Sequence, residues 1–298
     1  MTQCVAITGS SGLIGGALAS ALTARGDRVV RLVRSGPRSA AEVRWDPTSR
    51  HLDPVVLEDV DAVVNLAGAG IGDKRWSADR KREILTSRVD ATYAVASAIA
   101  ATGRPLRLVS GSAIGFYGDR GEEELTEDSP AGSGFTTEVV LAWEGATEPA
   151  QAAGAPTAYA RSGIVLAPHG GAMERVLPLA RLGLAGPLGS GRQWWPWITL
   201  ADEVAALIHL IDHPEVTGPV NVVGPVPARQ RDVMRALGKA LRRPALLPAP
   251  RPALMVVLGE FAREVLDSHR VLPERLSANG FRWQQPDLGS AVGWLLDS

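Results

Sequence analysis

The sequence predicts an α/β protein: a doubly wound parallel sheet carrying a smaller C-terminal α/β lobe. Three features predict it. The chain opens on an apolar strand that runs straight into Gly9-x-x-Gly12-x-x-Gly15 and then into a helix-length segment ending near Arg25. Apolar runs then alternate with amphipathic stretches through the first two-thirds of the chain, the pattern of βαβ units. After about Gly170 the texture changes to glycine- and tryptophan-rich, then to proline-rich.

Taken in order, residues 5–8, 28–33, 62–65 and 106–110 are short, largely apolar runs and read as buried parallel strands. Residues 13–25, 79–101 and 138–153 lie between or after them and have helical length and patterning. Crossovers of this kind are right-handed. Residues 157–166 read as one further strand, 199–212 as a helix and 219–223 as a strand. Thr199 with Asp202 reads as the cap of that helix. A proline-rich connector over 244–252 precedes apolar helical stretches such as 254–266, and the chain ends in an amphipathic helix. The expected division is a Rossmann-type core over 1–167, to which elements at about 199–224 return, and a substrate lobe with a small C-terminal domain over 168–298.

The 298 residues are 45% hydrophobic, enough for a sizeable core. A formal net charge of −1 gives no electrostatic case for nucleic acid or an anionic membrane. The single cysteine, Cys4, cannot form an internal disulfide. No segment reads as a signal peptide or reaches the ~20 apolar residues of a membrane span, so a cytoplasmic protein is expected. No His/Cys cluster has metal-ligand spacing, so no metal is expected.

Strand, glycine turn and helix in that order suit a dinucleotide. Gly9 allows a tight turn, Gly12 a close approach to a pyrophosphate, and Gly15 close packing of helix on strand. The anion would then sit on free N–H groups at the positive end of the helix. The second strand ends Arg31-Leu-Val-Arg34-Ser35, where an acid would select NAD. Arg34 instead offers a bidentate partner for the 2′-phosphate of NADP, and Ser35 adds a hydroxyl. NADP(H) is therefore expected over NAD; the alternative for Arg34 is an ordinary exposed arginine.

Further motifs follow: Asn65-Leu-Ala-Gly68, Ser112-Ala-Ile-Gly-Phe-Tyr-Gly118, Arg161-Ser-Gly-Ile-Val-Leu166, Gly170-Gly171, Leu188-Gly-Ser-Gly191 and Asn279-Gly280-Phe281. As a set they resemble the extended short-chain dehydrogenase/reductase superfamily, and within it an atypical epimerase-like branch with a small C-terminal domain of unknown role. The resemblance implies pyrophosphate contacts from Gly9, Ser11, Gly12, Leu13 and Ile14, and adenosine-side contacts from Arg34, Ser35, Leu66, Ala67 and Gly68. It also places Glu83 and Arg88 near the cofactor, although a solvated helix face explains them equally well. Asn65 reads either as a buried amide bridging strands or as a ligand contact. By analogy with the superfamily, the long helices would pair into a homodimer.

Hydride transfer needs a proton donor or acceptor beside the reacting carbon. The superfamily supplies it from a serine, a tyrosine and a lysine four residues after the tyrosine. Ser112 falls at the serine position, one residue further from Tyr117 than usual. The usual tyrosine and lysine positions fall at Thr136 and Val140, which can do neither job, and no lysine lies between Lys81 and Lys239. Tyr117 is a candidate substitute acid, or packs with Phe116 under the nicotinamide. Glu138, His169 and Arg161 are weaker candidates, and Trp194, Trp195 and Trp197 either stack on a ligand ring or form interface core. Two functions stay open. One is an atypical NADP-dependent oxidoreductase or epimerase of a small polar, sugar-nucleotide-like substrate. The other is a catalytically silent NADP(H)-binding redox sensor.

Overall fold

The computed structural model describes residues 2–297. β1 (Cys4–Thr8) leads through α1 (Leu13–Arg25) to β2 (Arg28–Val33) and a short β3 (Glu42–Arg44). β4 (Ala62–Asn65) is followed by the long α2 (Ala78–Ala101), and β5 (Arg107–Ala113) by β6 (Glu124–Leu125), α3 (Phe135–Gly145) and α4 (Glu148–Ala152). Next come β7 (Thr157–Ser162), β8 (Ile164–Leu166), α5 (Met173–Arg181), β9 (Trp194–Trp195), β10 (Trp197–Thr199), α6 (Leu200–Asp212) and β11 (Gly218–Val222). The C-terminal part holds β12 (Ala228–Arg229), α7 (Gln230–Leu241), α8 (Arg251–Leu258), α9 (Ala262–Leu266), β13 (Arg270–Val271), α10 (Glu274–Ala278) and α11 (Leu288–Asp297).

Seven strands form one parallel sheet in the order β11-β7-β5-β4-β1-β2-β3. The order reverses between β1 and β4, which opens a crevice at the carboxyl ends of those strands. Both faces are covered. Leu18, Ala19 and Leu22 of α1 and Val204, Leu207 and Ile211 of α6 fill one side with Val5, Ile7 and Val64. Ala91, Val95 and Ile99 of α2 and Ala150 of α4 fill the other with Ala6, Val63 and Leu108. Burial on both faces is why β1 and β4 read as nearly unbroken apolar runs.

Three elements differ from the sequence expectation. The predicted strand over 157–166 divides at Gly163: β7 pairs with β5 and β11 in the main sheet, whereas β8 pairs with β10 outside it. A Cβ at Gly163 would lie 2.1 Å from the Pro196 carbonyl oxygen, so only glycine lets the chain leave the sheet beneath that loop. The predicted helix over 138–153 starts at Phe135 and breaks into α3 and α4, with Pro149 in the first turn of α4. β3 carries too few apolar residues to stand out and forms at the sheet edge by pairing with β2.

The C-terminal part is not a separate ball. β13 pairs with β6, and β12 pairs antiparallel with β9. Asp202 of α6 accepts the Gln284 and Gln285 amides, while Thr199 caps α6 by accepting the Asp202 amide at 3.1 Å. Trp195 and Trp197 lie in the core of this second region with Leu166, Met173, Leu237 and Val292, which makes them packing residues. Among the described residues no helix is long and apolar enough to cross a membrane. Because Gly163 is met by backbone, Gly163→Ala should destabilise the chain by about 1–3 kcal/mol. Thermal unfolding would measure it, and an unchanged midpoint would show that the loop over Pro196 shifts freely.

Candidate functional site

The site is built where β1 and β4 end side by side. Gly9 adopts φ +66° and lies so close to the β4 exit that an added Cβ would be 2.5 Å from the Leu66 carbonyl oxygen. Gly15 packs on Gly9 just as tightly, its Cβ position 2.3 Å from the Gly9 carbonyl. The buried Thr8 hydroxyl donates to Asn65 Oδ1 at 2.7 Å and accepts the Leu66 and Ala67 amides at 3.0 and 3.1 Å. Asn65 in turn donates to Thr92 Oγ1 at 2.7 Å. Asn65 is thus a fully partnered interior amide that joins β1, β4 and α2.

Gly12 stands at the cap position just before α1, has extended backbone geometry and offers no side-chain cap. Its first-turn N–H groups therefore have no internal partner and sit at the positive end of the helix. Gly9, Ser11, Gly12, Leu13 and Ile14 line this turn, so the residues present fit a pyrophosphate. Arg34 and Ser35 are exposed just beyond β2, on the same carboxyl edge.

Leu66, Ala67 and Gly68 leave β4 along the crevice, and α2 holds the loop that continues from them. Arg88 donates to the Ala69 carbonyl at 2.9 Å and stacks 5.1 Å from the Trp143 ring. Burial, with Arg80 adding to it, pushes its pKa down to about 10. Glu83 pairs with Arg80 at 2.7 Å, and Arg80 reaches the Gly70 carbonyl. Glu83 is thus an exposed partner of Arg80, as a solvated helix face would give, whereas Arg88 and Arg80 hold the loop after β4 at Ala69 and Gly70.

The segment after β5 departs from expectation. Ser112 donates its hydroxyl to Glu144 Oε1 at 2.6 Å, and Glu144 forms a bidentate pair with Arg161 at 2.8 and 2.9 Å. Arg161 is 3% exposed, donates to the Tyr117 hydroxyl at 3.1 Å and stacks 3.5 Å from the Phe116 ring. Tyr117 has no exposed surface and donates to Asn221 at 2.7 Å. Burial pushes its phenol pKa up against the pull of Arg161. The two residues taken as catalytic candidates thus belong to an interior network. Ser112 orients a buried ion pair, and Tyr117 bridges β7 to β11 instead of facing the crevice. Burial works against the charge of Arg161, but Glu144 holds its pKa above the ordinary value, and Arg161 is a brace with no surface for an anion. Glu138 and His169 are exposed.

The C-terminal domain supplies what the sequence reading did not find. Thr136, at the start of α3, packs its Cβ 3.0 Å from where a Gly115 Cβ would stand, and Thr137 donates to the Gly115 carbonyl at 2.9 Å. Thr136 also donates at 2.9 Å to Glu264 of α9. Burial raises the Glu264 pKa to about 7, with Asp267 and Glu260 adding and Thr136 and Lys81 opposing. Lys81 pairs with Glu260 and lies 5.0 Å from the Phe135 ring centroid. Trp76 touches both Phe135 and Phe261, at centroid distances of 4.9 and 5.6 Å. An adjoining cavity is lined by Lys74, Arg75, Arg175 and Phe261. No spacing signal joins residues this far apart in sequence.

The reversed strand order with an uncapped glycine turn at its crevice defines a dinucleotide-binding protein of the Rossmann class. The chain belongs to the NAD dependent epimerase/dehydratase family, which matches residues 5–224, and residues 249–295 match a domain of unknown function, DUF1731. It is 43% identical over 291 residues to the epimerase family protein MT2273 of Mycobacterium tuberculosis, covering 97% of this chain and 96% of that one. It is 36% identical to the human epimerase family protein SDR39U1, covering 97% and 98%. The crystal structure of human SDR39U1 with NADPH superposes with a TM-score of 0.90 at 33% identity, covering 99% of each chain.

Removing one partner of the Glu144–Arg161 pair strands a buried charge. Glu144→Leu should therefore cost about 3–5 kcal/mol. Urea unfolding would measure it, and a loss below about 1 kcal/mol would mean that water reaches Arg161.

Proposed function

We propose that this chain is an NADPH-dependent oxidoreductase or epimerase that acts on a small polar, anionic carbonyl or sugar-nucleotide-like substrate. The observation that carries it is the uncapped α1 terminus held against the β4 exit by Gly9, with Arg34 exposed at the adjacent strand end. When bound there, the cofactor would supply or accept a hydride. The chain's own part is to hold and orient it: the first turn of α1 meets the pyrophosphate, Arg34 and Ser35 meet the adenosine 2′-phosphate, and Leu66, Ala67 and Gly68 line the adenosine side. The NADPH in the human relative's structure supports NADP over NAD. The basic cavity beside Phe261 supports an anionic substrate, since Lys74, Arg75 and Arg175 outnumber Asp73 in its wall.

A second reading is favoured by the engagement of Ser112 with Glu144 and by Thr136 and Val140 at the usual tyrosine and lysine positions: a catalytically silent NADP(H) sensor. Association of two copies through α2 and α3 rests on the resemblance alone. Among the described residues those helices expose Tyr93 and Leu141 as large apolar side chains.

Arg34→Asp should weaken NADPH binding by about 10- to 100-fold, the worth of hydrogen bonds to a charged group of about 1.5–3 kcal/mol, and leave NADH binding unchanged. Calorimetry with both cofactors would measure this; equal losses would overturn the NADP assignment. An absorbance screen of NADPH oxidation against carbonyl and sugar-nucleotide panels separates the two readings. Tight binding with no oxidation by any compound favours the sensor.

A further inference from the structure

We infer that Glu264, reaching over from the C-terminal domain, is the residue that exchanges a proton with the substrate oxygen, in the place next to the first turn of α3 where the chain itself offers only Thr136. The inference rests on the oxidoreductase reading above and assigns a role to α9 within it.

Hydride transfer to a carbonyl leaves charge on oxygen, which a positioned acid must neutralise. Ser112 donates to Glu144, Glu144 is held by Arg161, and Tyr117 is sealed in the interior. Glu138 points to solvent. The carboxyl that meets the first turn of α3 is Glu264, 2.9 Å from Thr136 Oγ1 and partly exposed. Thr136 itself packs on Gly115, the segment directly after β5, so Glu264 stands beside that segment through one short side chain.

Its surroundings suit proton exchange near neutrality. Burial, Asp267 on the same turn and Glu260 in the preceding turn favour the protonated form, while the Thr136 hydroxyl and Lys81 of α2 favour the carboxylate, and the balance lies at about 7. Trp76 joins Phe135 and Phe261 into an aromatic wall at this corner, and Phe261 continues it into the basic cavity. Lys81 of α2 brings a cation to this corner, beside the Phe135 ring and paired with Glu260.

In the reductive direction the carbonyl carbon accepts the hydride and its π pair moves to oxygen. Glu264 gives that oxygen its proton. The products are the alcohol, oxidised cofactor and the Glu264 carboxylate, which solvent reprotonates. The acid form is populated below pH ~7, so reduction slows as pH rises through that value and oxidation quickens.

The test needs no known substrate. NADP⁺ and NADPH differ only in the nicotinamide ring, which carries a positive charge when oxidised. Infrared titration of the intact protein, using E264Q to identify the Glu264 carboxyl band, should place its midpoint at least about one pH unit lower with NADP⁺ than with NADPH, because a cation within about 4–6 Å favours a carboxylate. Equal midpoints would place Glu264 away from the nicotinamide and overturn the inference, while intact NADPH binding by calorimetry keeps the cofactor reading standing. Failure of the wild-type protein to bind NADPH would overturn both. Should E264Q fold poorly, E264D and a ¹³C-glutamate NMR titration of the wild-type chain give the same comparison. For any carbonyl that oxidises NADPH, E264Q should slow the reaction about 10²- to 10⁴-fold and remove the fall near pH 7; an unchanged rate and profile would equally overturn the inference.

Discussion

The rest of this molecule depends on one backbone contact, the approach of Gly9 to Leu66. It sets the spacing between β1 and β4 where the strand order reverses, and that spacing is the crevice. The contact is supported from beneath by the Thr8 hydroxyl, which holds Asn65 and the first two amides after β4 at once. A buried polar network of this kind is stabilising only when every member is partnered, and here Thr92 completes it from α2. The glycine turn, the loop after β4 and the long helix thus share one position.

A second constraint comes from the far end of the chain. The C-terminal domain adds β13 to β6, ties its last segment to α6 through Asp202, and brings Phe261 against Trp76 and Glu264 against α3. The residues that dock the domain also furnish the aromatic wall and the carboxyl beside Thr136. The inner network of Ser112, Glu144, Arg161 and Tyr117 serves a different end, binding β5, α3, β7 and β11 into one rigid block.

Much of the core was legible because local signals and burial agree. β1, β4 and β5 are buried on both faces and so appear as apolar runs, and the Gly9 turn has a spacing that a pyrophosphate demands. The Thr199 cap is a contact three residues long and needs no tertiary knowledge. Legibility failed where a residue's fate is settled by a distant partner. Ser112 and Tyr117 lie in one short stretch of sequence in a way that suggests chemistry, yet Glu144 and Asn221 claim their hydroxyls. The split at Gly163 was hidden because that single residue is all that separates β7 from β8, and only the Pro196 carbonyl shows why the chain must turn there.

By itself the sequence determined the sheet class, the dinucleotide turn, the basic residue at the end of β2 and the lack of a tyrosine–lysine pair in α3, because each is written within a few consecutive residues. Only the tertiary structure decided which titratable groups are interior braces and which are brought together by the C-terminal domain. That choice follows from burial and from hydrogen bonds between residues far apart in the chain, such as Thr136 with Glu264, and no periodicity in the sequence encodes such a pairing.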